Sequence, residues 1–235
     1  SEAREEQTLA TDQDNAIIFA DGDPERNTAA QAYFLRLGDK VCGWLDAVGY
    51  RRCKGDVMAS NPKWCQPLSA WRRYFTECVA AARPQDLLDV NVFFDFRCAY
   101  GELDHVRQLR EHLYHLLEGG GRNAFFFHLA QSTLQFKPPR GFFGTIQLES
   151  SGERSAAFNI KTAIIPLVNF ARMYSLQHRL AETNTLERLR HLRDQGVLLP
   201  SSHDELVQAY TTLMQMRLTH QAAQINHGLV PDNAI

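Results

Sequence analysis

No stretch of this chain approaches the roughly 20 consecutive apolar residues that a membrane-spanning helix needs. The span from Phe158 to Phe170 is interrupted by Lys161, Pro166 and Asn169 and reads as a core helix. An excess of one charge is also missing. Lys and Arg number 25 against 27 Asp and Glu, for a net charge of −2, and the signs are interspersed. A dedicated nucleic-acid binder would show a basic stripe, so nucleic acid is not an expected partner. Close cysteine pairs are absent too. The five cysteines, Cys42, Cys53, Cys65, Cys78 and Cys98, are odd in number and contain no Cys-x-x-Cys. That argues against structural zinc. Free thiols suit a reducing compartment, so the expected location is the cytoplasm. No segment reads as a signal peptide, an internal repeat or a low-complexity tract. What remains is 235 residues of ordinary globular composition, enough for one large or two small domains with a real core.

Against that background the opening residues stand out. Asp12 and Asp14 lead into the apolar run Ala16-Ile-Ile-Phe-Ala20, short and β-prone enough to be a buried strand. Side chains at i and i+2 of a strand share a side. Two carboxylates so placed repel unless a cation sits between them. Hard oxygen donors of this kind suit Mg²⁺, which pairs one or two carboxylates with substrate phosphates. An Asp-x-Asp pair also occurs as simple turn chemistry. A third acid strengthens the metal reading. From Leu88 to Arg97 the chain alternates in period two, which predicts a second strand with Asp95 late in it. An acid inside such an apolar strand is costly unless paired or metal-bound. Asp12, Asp14 and Asp95 are thus the expected metal ligands and catalytic acids of a phosphoryl-transfer site.

The remaining pattern is mostly helical. Ala30, Phe34, Leu37, Val41, Trp44, Leu45 and Val48 form a 3.6-period stripe ending near Gly49. Cys53 to Trp64 is a polar loop, and Ser69 to Ala82 a helix. Beyond Gly101, helices are expected around 106–117, 123–134, 162–181, 186–195 and 203–225. Lys137 to Gly144 reads as a rigid connector and Thr145 to Leu148 as a short strand. Asn184 with Glu187, and Ser202 with Glu205, fit capping boxes. The fold class expected is α+β: a small mixed-sheet domain over 1–100, then a helical bundle over 101–235.

Several of these motifs together resemble one family. Ser1-x-Ala-Arg4-x-Glu6-Gln7, then Thr11-Asp12-Gln-Asp14-Asn15, then Phe94-Asp95-Phe96-Arg97 is similar to the DNA polymerase β nucleotidyltransferase superfamily. Its pattern is a Gly-Ser motif, Asp-x-Asp on a strand and a third acid on a neighbouring strand. The closest resemblance is to the nucleotidyltransferase-like family found beside CBS and cyclic-nucleotide-binding domains in bacterial signalling proteins, related to the uridylyltransferase of nitrogen signalling. Cys53-Lys-Gly-Asp-Val-Met-Ala-Ser-Asn-Pro-Lys-Trp64, Lys137 to Gly144, Asn184 to Leu189 and Pro231-Asp-Asn233 also resemble it. The chain begins at the serine of the Gly-Ser motif, so an ordered fragment of a longer protein is expected.

The resemblance implies an Mg²⁺- or Mn²⁺-dependent transfer of a nucleoside monophosphate from an NTP to a protein or small-molecule acceptor. It implies that Ser1 contacts the β- and γ-phosphates. Arg4 would pair with phosphate as a bidentate fork, or else form a salt bridge with Glu6. Asp56, Asn61 and Trp64 would line the nucleotide or acceptor pocket, with Trp64 stacking on a base, or else serve as loop caps and an aromatic anchor. Lys161, Arg172 and Arg188 would reach phosphates from the helical part, or else form a solvated face. Upstream CBS or cyclic-nucleotide domains are the expected neighbours, and the aromatics near Phe142 leave room for a homodimer. Two rival readings stand beside the enzyme: a nucleotide-sensing module that has kept binding and lost chemistry, and an RNA 3′-end transferase, which the acidic balance disfavours.

Overall fold

The computed structural model describes residues 2–81, 91–118, 122–136 and 158–235. Ser1, the start of the expected 88–97 strand, the 137–144 connector with Phe142 and Phe143, and the expected 145–148 strand lie outside the described residues. Among those described there are seven α-helices and one two-stranded parallel sheet, a mixed α+β chain with a helical domain. The chain divides into two compact units. One comprises Glu2 and residues 11–125; the other comprises residues 3–10 and 126–235.

In the first unit, β1 (Ile17–Phe19) pairs in parallel with β2 (Cys65–Pro67), Ile17 opposite Cys65 and Phe19 opposite Pro67. A parallel pair needs a crossover. Here it contains α1 (Pro24–Ala47). Asp23 caps that helix by accepting from the Arg26 N–H at 2.8 Å, and Pro24 takes the first turn, where its missing N–H costs nothing. Gly49, at φ +105°, carries the chain out of the helix. Next come α2 (Leu68–Ala81) and α3 (Leu103–Leu116), which pack on each other. Their core is aromatic. Trp64 lies against Phe93 at 4.3 Å between ring centroids, near Trp71 and Tyr74, while Phe94 packs on Phe75 and on Phe125 at the start of α4 (Arg122–Leu134).

Three expectations are corrected in this unit. Asp95 does not lie on a strand. Asn91–Phe94 forms a 3₁₀ turn, and Asp95 follows it in a bend. A strand would send Phe93 and Phe94 to opposite faces, yet both are buried, in adjoining groups of rings. The strand that does pair with β1 is β2, three residues that directly follow the stretch read as loop and that carried no strand expectation. The α1 stripe is also half wrong: Trp44 and Val48 are 65 % and 73 % exposed. The buried positions of α1 are Gly38 and Cys42, small residues that let the helix approach closely.

The second unit is built on α5 (Ile160–Gln177), α6 (Thr185–Asp194) and α7 (Pro200–Asn226), each packed on the other two. Ile160, Ile164, Val168 and Tyr210 form its apolar centre, with Leu186, Leu213 and Met214 against them. Asn184 caps α6 as expected, accepting from Leu186 and Glu187 N–H groups. Ser202 caps nothing, because α7 starts earlier: Pro200 takes its first turn, after Leu199. The last residues fold back, Phe158 and Ile235 exchanging backbone hydrogen bonds of 2.7 and 2.9 Å.

Candidate active site

The segment before β1 is held by its odd-numbered residues. The Gln13 N–H donates to the Arg51 carbonyl at 2.9 Å, and the Asn15 N–H donates to the Val57 carbonyl at 3.1 Å. Their side chains turn the same way, with Asn15 Nδ2 3.4 Å from Gln13 Oε1. Gln13, 4 % exposed, donates to the carbonyls of Cys42 and Tyr50 at 3.0 and 2.7 Å. Asn15 Oδ1 accepts from the Ala59 N–H at 2.8 Å and from the Cys42 thiol. Two amides thus bolt the segment to α1 and to the 50–59 loop. Period two then leaves Asp12 and Asp14 on the other side, Asp12 half-buried and Asp14 exposed. The Asp-x-Asp pattern is readable in sequence; the bolting role of the residues between and after it is not, because a buried amide and a loop amide look alike.

Asp14 faces the 53–57 loop. The Cys53 thiol is raised above its ordinary pKa, first by burial and then by hydrogen bonding to, and repulsion from, the Asp14 carboxylate. Burial alone pushes the Cys65 thiol up to about 11. Replacing Asp14 with Asn removes the negative charge that disfavours the Cys53 thiolate. Alkylation of Cys53 by iodoacetamide at pH 8 should therefore speed up in that variant. Cys65, fully buried, should stay unmodified in both proteins. Peptide mapping by mass spectrometry reads both sites, and an unchanged Cys53 rate would mean that Asp14 does not face it.

The other sequence-expected residues fall into two groups. Asp56 sits at φ +53° and accepts from Asn61 Nδ2 at 2.8 Å, while Asn61 Oδ1 caps the Lys63 N–H at 2.9 Å. These two side chains shape the loop. Trp64 is 5 % exposed, with Phe93, Trp71 and Tyr74 around its ring and the Lys63 ammonium 4.4 Å from the ring centroid. It is a core residue, and neighbours fill the space a stacked base would take. Asp95 is 6 % exposed. Among the described residues, no three His, Cys, Asp or Glu side chains gather as a metal-holding group, so Asp95 does not join Asp12 and Asp14 in a triad.

Arg4, Lys161, Arg172 and Arg188 belong to the other unit. Arg4 Nε donates to Glu6 Oε2 at 2.8 Å. Lys161 is exposed, its backbone N–H capped by Asn159. Arg172 and Arg188 are not a solvated face: they are 4 % and 2 % exposed, donating to Asn169 Oδ1 and, at 2.8 Å, to the Glu182 carbonyl. Glu6, buried at 8 %, is a member of this unit that sequence reasoning gave no role of its own.

Two family models match the chain. Residues 1–85 match one described as "putative nucleotidyltransferase DUF294", and residues 123–235 match one described as "putative nucleotidyltransferase substrate binding domain". Together these matches support a nucleotidyltransferase family for this chain and general nucleotidyl transfer as its chemistry. No curated protein and no solved structure matches it.

Proposed function

We propose that the protein transfers a nucleoside monophosphate from an NTP to a protein or small-molecule acceptor in bacterial signal transduction. The acceptor oxygen forms a bond to the α-phosphorus, the bond from that phosphorus to the bridging α–β oxygen breaks, and pyrophosphate leaves. The observation that carries this reading is the Asp12–Asn15 segment, in which the buried Gln13 and half-buried Asn15 amides fix the backbone and leave two carboxylates on its other side. Asp12 and Asp14 suit a divalent cation shared with substrate phosphates, as Mg²⁺ or Mn²⁺ would be. Such an ion supplies charge neutralisation at the phosphates. The donor set present fits two carboxylates and substrate oxygens rather than three gathered acids. Asp95 is therefore proposed as a buried acid on the acceptor side, not as a third ligand. Arg4 is proposed to meet the triphosphate, and the helical unit to select the acceptor. Five free cysteines favour the cytoplasm, and no helix among the described residues is long and apolar enough to cross a membrane. CBS or cyclic-nucleotide domains remain the proposed regulatory neighbours.

One observation favours the sensing alternative, namely that Asp95 is not gathered with the other two acids. The deciding experiment is label transfer from each α-³²P-NTP, with Mg²⁺ or Mn²⁺, by the full chain in host lysate. The expected result is label on a discrete species, falling about a thousandfold in Asp12→Asn/Asp14→Asn as several kcal/mol of charge stabilisation is lost. Metal-dependent NTP binding without transfer would overturn the enzyme reading in favour of the sensor.

A further inference from the structure

The buried carboxylate of Glu6 has two partners and a third neighbour. Oε2 accepts from Arg4 Nε at 2.8 Å, and Oε1 accepts from the Thr185 N–H, in the first turn of α6, at 2.6 Å. A carboxylate at that end of a helix also meets the positive pole of its dipole. The Tyr210 hydroxyl faces the same group, and its pKa is raised by burial first and by the Glu6 charge second. Glu5, at φ +57°, makes the turn that brings Arg4 and Glu6 together. The backbone around them is clamped as well. Thr183 Oγ1 donates to the Ala3 carbonyl, and Asn184 Nδ2 donates to the Arg4 carbonyl at 2.9 Å. Further along, the Ala10 N–H donates to Gln221 Oε1 at 3.2 Å. Residues 3–10 are thus tied to the helical unit at both ends. They nevertheless fall within the match to the transferase family, whereas α6 and α7 fall within the match to the substrate-binding domain.

We propose that Glu6 is a positioning residue for the NTP triphosphate, holding the Arg4 guanidinium at a fixed orientation against the N-terminus of α6. This rests on the nucleotidyltransferase reading and on phosphate contact by Arg4. A guanidinium pairs with phosphate through a planar fork, so its angle decides whether one or two hydrogen bonds form. Arg4 is held at Nε by a carboxylate that is itself fixed by a helix terminus, and its side chain is 17 % exposed.

The test is a double-mutant cycle on the affinity for Mg²⁺-tripolyphosphate, the moiety common to all NTPs, measured by calorimetry on the full chain. The four proteins are wild type, Glu6→Gln, Arg4→Ala and the double variant, with thermal midpoints recorded for each. Positioning predicts that Glu6→Gln weakens binding about tenfold when Arg4 is present and has no effect when it is absent, a coupling typical of contacting residues. Simple removal of a negative charge would instead strengthen anion binding in both backgrounds, and a role in folding alone would weaken it equally in both. Either result overturns the proposal, as does a wild-type chain that binds no tripolyphosphate. Should Glu6→Gln fail to fold, Glu6→Asp keeps the charge, shifts the guanidinium and completes the same cycle. Failure of the transferase reading shows separately, as absent label transfer while the cycle still holds.

Discussion

Gly38→Ala is expected to destabilise the first unit by about 2–3 kcal/mol, although alanine is the better helix former by about 1 kcal/mol. A Cβ at position 38 would lie 2.5 Å from the Ala59 carbonyl oxygen, 2.6 Å from its carbon and 3.0 Å from the Ser60 nitrogen. These are backbone atoms, which cannot rotate aside as a side chain does. Either α1 or the 59–60 backbone must shift. The Ala59 N–H is also the donor to Asn15 Oδ1, so a shift there loosens one of the bolts on the Asp12–Asn15 segment. The variant should therefore lose transfer activity as well as stability. Gly43→Ala is the control, since the nearest atom to its Cβ is the flexible Arg52 guanidinium at 3.8 Å. It should be neutral or slightly stabilising, as an alanine in a helix interior usually is. Calorimetric melting of both variants decides the matter. A Gly38→Ala protein as stable as Gly43→Ala would mean that α1 does not approach the 59–60 backbone this closely.

Helix ends were legible where a local signal marks them. Gly49 after α1 and the Asn184 cap of α6 are such signals, and local physics decides them. What could not be read depends on partners distant in sequence. The hydrophobic stripe of α1 includes Trp44 and Val48, whereas close approach to residues 59–60 needs small residues and selects Gly38 and Cys42 for the inner face instead. The Leu88–Arg97 alternation looked like a strand, yet no described strand continues the sheet there, and Phe93 and Phe94 both find aromatic neighbours from a 3₁₀ turn. β2 is three residues long, too short to carry a period. At the candidate site the spacing of Asp12 and Asp14 was readable, and so was the polarity of the amides beside them. That Gln13 reaches Cys42 and Tyr50, and that residues 3–10 belong with α6 and α7, follows only from tertiary structure.

Trp64→Ala is expected to cost about 3–5 kcal/mol, the range for removing a buried aromatic side chain. It removes a ring that touches Phe93, Trp71 and Tyr74 at centroid distances of 4.3, 6.0 and 5.5 Å, and it leaves a cavity that those large, mutually packed rings cannot close without leaving one another. Lys63 loses its aromatic platform in the same step. A variant this damaged says little about ligand binding, so Trp64→Phe is the informative partner. It keeps an aromatic face in the cluster and should remain folded at moderate cost. If Trp64 is purely a core residue, Trp64→Phe will bind NTP and tripolyphosphate with affinities in the wild-type ratio, because neither ligand meets the ring. A base stacked on the indole would contribute about 1–3 kcal/mol. Its weakening would lower affinity for NTP alone, leaving tripolyphosphate unaffected. Burial at 5 % exposure, with aromatic neighbours already around the ring, argues for the unchanged ratio. A selective loss of NTP binding would require the aromatic cluster to open when nucleotide arrives, and would return Trp64 to the nucleotide pocket.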